Sequence, residues 1–121
     1  MIVAGFGFTS SASADSLAQA LHATGHGDRL DQLATAADKA VSSVMLDFSR
    51  EHGTPIASIE PSLLEAMQTK TQSLTSQQMR RTGSVAEAAA LAAAGPGARL
   101  ITPRQISADR LATCAIAIGE T

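Results

Sequence analysis

Between Thr9 and Ser13 the chain places four hydroxyls, those of Thr9, Ser10, Ser11 and Ser13, directly behind an apolar run that carries Gly5 and Gly7. Hydroxyls and bare backbone at the end of a strand can hold an anion. They hold it best where a helix follows, because its opening N–H groups point outward with partial positive charge. Two further places offer the same chemistry. Thr35, Asp38 and Lys39 follow a second apolar run, and Gly83 with Ser84 stands at the head of an alanine-rich stretch. Together Gly7, Thr9, Ser10, Ser11, Thr35, Lys39, Gly83 and Ser84 form a candidate binding set for a ligand bearing carboxylates or phosphates. The alternative for the first loop is a tight strand-to-helix turn in which small residues serve packing alone.

Catalytic motifs are scarcer. Gly5-x-Gly7 lacks the further glycine of a dinucleotide fingerprint, and no glycine-rich loop ends in lysine. The hydroxyl loop has no histidine base beside it, which argues against a serine hydrolase. His22, His26 and His52 are not spaced as metal ligands, and two of them fall near helix ends where solvent serves them. Cys114 alternates with Thr113 and Ala115 in an apolar strand and reads as a small core residue. Arg80, Arg81, Arg104 and Arg110 read as solvated charges. No catalytic residue is assigned, and neither a metal nor a cofactor is expected.

A binding set spread over the chain needs a fold that brings its pieces together. Ile2, Val3, Phe6 and Phe8 give the first strand its apolar bulk, and Ser13 caps a helix whose Leu17, Ala20 and Leu21 share one face. The glycines of Thr24 to Asp28 end that helix. A second strand is expected at Gln32 to Ala36. Val41, Val44, Met45, Phe48 and His52 then recur at helical spacing, and Gly53-Thr54-Pro55 leads to a third strand at Ile56 to Ile59. Pro61 opens a short helix with Leu63, Leu64 and Met67, and Gln68 to Thr82 reads as a polar surface excursion. Ser84 and Glu87 form a capping box for a helix over Val85 to Ala94, stopped by Gly95-Pro96-Gly97. Two last strands, Arg99 to Thr102 and Ala112 to Ile118, are joined by a loop over Pro103 to Leu111. That loop is too short for a crossover helix, so the pair is antiparallel. Residues 1–121 are therefore expected to make a single three-layer α/β/α domain, with a mixed, mostly parallel sheet of about five strands and an antiparallel C-terminal pair. Such sheets bind ligands in the crevice at their carboxyl edge.

Composition narrows the partners. A chain of 121 residues fits one domain. With 9 Lys and Arg against 11 Asp and Glu, the net charge of −2 offers no basic field to nucleic acid or an acidic membrane. The absence of Trp and Tyr, with only 3 Phe, leaves few platforms for stacking bases. No apolar run approaches the roughly 20 residues that span a bilayer. One cysteine cannot form an internal disulfide, and the chain enters a strand at once without a basic leader, so a cytoplasmic protein is expected.

The succession GFGFTSSASADSL, LATAADKA, HGTPIASIEPSLLEAM, TGSVAEAAALAAAG and RLITPRQISADRLATCAIAIGE resembles the CobE family, related to the C-terminal domain of CbiG, of cobalamin biosynthesis. The early Gly-x-Gly, the Ala34-Thr35 to Lys39 segment and the helix from Ser84 to Leu91 carry the likeness most specifically. In that family the longer CbiG proteins open the ring A lactone of cobalt-precorrin-5A and release acetaldehyde. The short stand-alone proteins belong to the cobalt-late, oxygen-using route, and a chain of this length starting at Met1 resembles them. The resemblance implies a precorrin or other corrinoid intermediate, rich in carboxylates, as the ligand, and another enzyme of the pathway as a possible partner. Two departures stand out. Phe8-Thr9-Ser10-Ser11 replaces a Cys-Arg-Arg-Gly run of CbiG-type domains, and Pro103-Arg104-Gln105 replaces a lysine-rich Pro-Lys segment. Losing a thiol and two cations from the first loop leaves binding a better expectation than lactone hydrolysis. The expected role is thus to bind or carry a precorrin-type intermediate. A precorrin lactone-opening hydrolase, or an accessory subunit docking through Gln68 to Thr82, is the alternative.

Overall fold

The computed structural model describes residues 1–26, 29–72 and 82–119, with 68–72 and 82–84 described by their backbone alone. Its first strand, β1 (Ile2–Phe8), is buried from Val3 onward and stands at the centre of the sheet. β2 (Gln32–Ala36) pairs with it in parallel, Ala4 opposite Leu33, and β3 (Ile56–Ile59) adds in parallel outside β2. On the other side β5 (Ala112–Ile118) runs antiparallel to β1, with Gly5 opposite Ala115, and β4 (Arg99–Ile106) pairs antiparallel with β5. The order is β3-β2-β1-β5-β4.

Alternation along β1 sorts its side chains into two cores. Ala4, Phe6 and Phe8 pack with Leu17 and Leu21 of α1 (Ala14–Thr24) and with Met45 and Phe48 of α3 (Ser43–His52). Phe6 and Phe48 meet edge to face at 5.4 Å between ring centroids. Val3 faces the opposite layer, where Ala89, Ala90 and Ala94 of α5 (Thr82–Ala94) pack with Ala34, Ile59 and Ala117. That layer is thin because alanine holds no two backbones apart. A Cβ built on Gly5 would stand 2.1 Å from the carbonyl oxygen of Ala86, so only glycine fits beneath α5. α4 (Pro61–Gln72) lies against α5, and the short α2 (Ala37–Ala40) follows β2. Ser13 caps α1 in a reciprocal box with Ser16, and Ser42 caps α3 by accepting from the Met45 amide. Among the described residues no helix is long and apolar enough to cross a membrane.

The three-layer architecture and the bounds of β2, β3 and β5 agree with the sequence reading, and four details do not. The helix expected through Val41 is divided, because Val41 closes α2 and Ser42 caps a new helix. α4 continues to Gln72, into the stretch read as an excursion, while 73–81 lies outside the described residues. α5 begins at Thr82, so Ser84 lies within it rather than ahead of it. β4 runs on to Ile106 through Pro103. Proline is tolerated there because β4 is an edge strand whose ladder is interrupted between Thr102 and Gln105.

Candidate functional site

Parallel pairing of β1 with β2 puts the segments that follow them, Thr9 to Ser13 and Ala37 to Ala40, at the same edge of the sheet. α5 passes Gly5 at Ala86 and reaches Gly119 at Ala94, and the Gly119 amide donates to the Met1 carbonyl at 2.8 Å. The helix therefore runs against the direction of β1, and its first turn, with Gly83 and Ser84, heads for that same carboxyl edge. Their side-chain surroundings lie outside the described residues. The turn between β4 and β5 also arrives here, since Gly7 pairs with Thr113 and Phe8 with Ala112.

The first loop is closed by its own backbone. The Thr9 amide donates to the Leu111 carbonyl at 3.0 Å, the Ala12 amide to the Thr9 carbonyl at 3.1 Å, and the Ser11 amide to Thr9 Oγ1 at 3.3 Å. This fixes Thr9, Ser10 and Ser11 as an exposed, ordered turn, and among the described residues nothing bonds the hydroxyls of Ser10 and Ser11. Lys39 completes the group. Its Nζ stands 5.3 Å from the centroid of the Phe8 ring, a cation–π approach worth roughly 0.5–1 kcal/mol at a partly exposed site. The ammonium is thereby held beside the residue that leads into Thr9.

Two residues of the candidate binding set have other work. Thr35 is fully buried and its hydroxyl donates to the Phe6 carbonyl at 2.9 Å, tying β2 to β1. Gly7 lies within the β1–β5 ladder, where its carbonyl accepts from Thr113 Oγ1 at 3.3 Å. Ser13 serves the α1 cap. Gly5 meets a helix rather than a ligand.

Asp109, which the sequence reading passed over, anchors the edge. Its Oδ2 accepts from Ser16 Oγ at 2.6 Å, and its Oδ1 accepts from Ser107 Oγ at 2.5 Å and from the Leu111 amide at 3.0 Å. Its own amide donates to Gln19 Oε1 at 3.0 Å. The hydroxyls of Ser107 and Ser16, then the Leu111 amide, hold this carboxyl below the usual aspartate range. The network fixes the Leu111 carbonyl that receives the Thr9 amide. Ser107-x-Asp109 is a local turn signal, but its link to Ser16 spans the chain.

Arg104 departs from its reading as a solvated charge. Its side chain is 15% exposed, its backbone amide and Nη1 both donate to Glu87 Oε2, at 3.2 and 3.4 Å, and the accepting Glu87 side chain is only 3% exposed. Arg110 is exposed, in the left-handed region at φ 65°. Cys114 is fully buried, and burial pushes its thiol well up, as suits a core residue. His22 is exposed, and His52 Nδ1 lies 2.7 Å from Thr54 Oγ1. His26 lines a hollow of about 180 Å³ with Ile2, Gly25 and Arg29, at the opposite, amino edge. Among the described residues no group of three or more His, Cys, Asp or Glu could hold a metal ion.

Chemically the carboxyl edge offers an exposed hydroxyl turn and a cation over the Phe8 ring that precedes that turn in the chain, which is equipment for binding an anion. Proton transfer would need a base within hydrogen-bond reach of Ser10 or Ser11, and none is bonded to them among the described residues.

Residues 2–117 match the family model for the cobalamin synthesis G C-terminus. The chain is similar to the crystal structure of the cobalamin biosynthesis protein chiG from Agrobacterium tumefaciens, at 34% identity and a TM-score of 0.76 over 100% of both chains. It is similar to CobE, a protein from the cobalamin (vitamin B12) biosynthetic pathway, at 30% identity and a TM-score of 0.77 over 97% of this chain and 89% of that one. A cobalamin biosynthesis protein G homolog from Sulfolobus solfataricus shares the fold at 18% identity and a TM-score of 0.73, with 98% of this chain matching 37% of that one. No curated protein sequence matches the chain.

Proposed function

The chain belongs to the cobalamin synthesis G C-terminus family, and from that membership we propose that it binds and carries a precorrin-type corrin intermediate at the carboxyl edge of its sheet. The observation that supports this reading is the Lys39 ammonium over the ring of Phe8, the residue that leads directly into the exposed turn of Thr9, Ser10 and Ser11. A macrocycle whose rim carries carboxylates would meet a cation and the unengaged hydroxyls of Ser10 and Ser11, and each charge-assisted bond contributes about 1.5–3 kcal/mol. The proposal includes a cytoplasmic location, where the single Cys114 remains a thiol.

Incubation of the purified chain with pathway intermediates, followed by mass spectrometry of bound and released species, tests it. The expected result is an intermediate retained with its mass unchanged. A product lighter by the mass of acetaldehyde less that of the water taken up in hydrolysis would replace carriage with lactone opening. Failure to retain any intermediate would favour an accessory subunit acting on a neighbouring pathway enzyme.

A further inference from the structure

We infer that Arg104 is an anion-binding residue, oriented by Glu87, that receives a carboxylate of the ligand. The inference rests on the corrinoid reading for the ligand's identity but not for its charge.

Two features of the fold converge on this one side chain. Three steps along β4 from Thr102 to Gln105 match two along β5 from Ile116 to Cys114, so β4 carries an extra residue at Pro103 and Arg104 and its ladder is broken there. Bulges of this kind re-aim a side chain, and they gather at sheet edges and beside sites. The second feature is Glu87, whose carboxylate is buried in α5 among alanines. A buried ion pair adds little to stability over an apolar pair of similar size, since desolvation offsets the attraction. Here the bulge and the buried carboxylate have a common product, which is the direction of the guanidinium. Glu87 Oε2 takes the Arg104 amide, which has no ladder partner, and then takes Nη1.

The remaining donors give the chemistry. With Nη1 on Glu87, the edge formed by Nε and Nη2 has no acceptor among the described residues, and the side chain keeps 15% of its surface exposed. That edge is a rigid two-donor fork matched to a carboxylate, which an ammonium cannot reproduce. Glu87 thus acts as a positioning residue, and Arg104 as the group that touches the ligand.

The test is a titration of the ¹⁵N-labelled chain with citrate, a small tricarboxylate, followed at the arginine Nε–H signals. Arg104→Lys identifies the Arg104 signal by its loss. The expected result is a saturable shift of the Arg104 signal in the wild type. Glu87→Gln keeps the guanidinium but loosens its holder, and should need roughly tenfold more citrate. An Arg104 signal that does not move with citrate overturns the inference, whatever the variants do. A stable corrinoid polycarboxylic acid, added in the same experiment, separates the two proposals. If citrate shifts Arg104 while the corrinoid acid does not bind, the anion site stands and the corrinoid reading fails.

Discussion

The Cβ that Gly5 lacks would fall 2.1 Å from the carbonyl oxygen of Ala86 and 2.6 Å from the amide nitrogen of Ala90. Backbone meets backbone at this point, so neither side can yield by rotating a side chain. The contact sets how closely α5 lies on β1, and so where the first turn of α5 arrives at the carboxyl edge. Gly5→Ala should destabilise the domain by about 1–3 kcal/mol or more, since even one methyl overpacks a site with no slack. Denaturant melts check this, and an unchanged midpoint would contradict the close approach.

Ala89 packs in the same thin layer with Val3, Ala34 and Ala117. Ala89→Leu should cost about 1–3 kcal/mol through overpacking. Ala18→Leu, on the exposed face of α1, is the matched control, and its melt should barely move. Equal melts for the two variants would show that the alanine layer has room to spare.

Asp109 makes a prediction about acid. Its folded-state carboxyl titrates below the ordinary aspartate value of 3.8. The stability it contributes is therefore fully present above that value and is lost as pH falls through the lower folded one. Asp109→Asn keeps the shape but cannot titrate, so between pH 5 and the acid limit its Tm should fall less steeply than that of the wild type. Parallel Tm profiles for the two proteins would remove Asp109 from the acid response.

Much of this frame was legible in the sequence. Ile2 to Phe8, Gln32 to Ala36 and Ala112 to Ile118 are dense in apolar residues, and glycine, proline or capping serine punctuates them, so their strands could be located locally. What escaped was long-range. Pro103 reads locally as the end of a strand, and only the position of β4 at the sheet edge makes it tolerable. The Thr35 hydroxyl reads as free, but the carbonyl that takes it belongs to Phe6 on the neighbouring strand. Ser16 and Asp109 are 93 residues apart, and Glu87 and Arg104 are 17 apart on different elements. No periodicity links such partners. Lys39 and the Thr9 to Ser11 turn could be placed at one edge from the sequence because both follow neighbouring parallel strands.

Glu87 and Arg104 make a stability prediction that differs from their binding role. Replacing only Arg104 by Met leaves a buried carboxylate without its counter-charge, held by the residue-104 backbone amide alone, and should cost about 3–5 kcal/mol, whereas Glu87→Leu with Arg104→Met should recover most of that loss. A double-mutant cycle from denaturant melts measures the difference. A double variant no more stable than Arg104→Met alone would contradict this account of the pair.

The proposed binding edge is tested most directly by titrating a stable corrinoid polycarboxylic acid, at fixed ionic strength, against the wild type, Lys39→Ala and Arg50→Ala. The Arg50 variant loses the same charge from a side chain that is 76% exposed and paired with Asp47 on α3, so it controls for net charge. Removing one charge-assisted bond worth about 1.5–3 kcal/mol should raise Kd roughly ten- to a hundredfold for Lys39→Ala. Arg50→Ala should stay close to the wild type. Equal affinity in all three proteins, or no binding by the wild type, would contradict a ligand site built on Lys39 and the Thr9 to Ser11 turn.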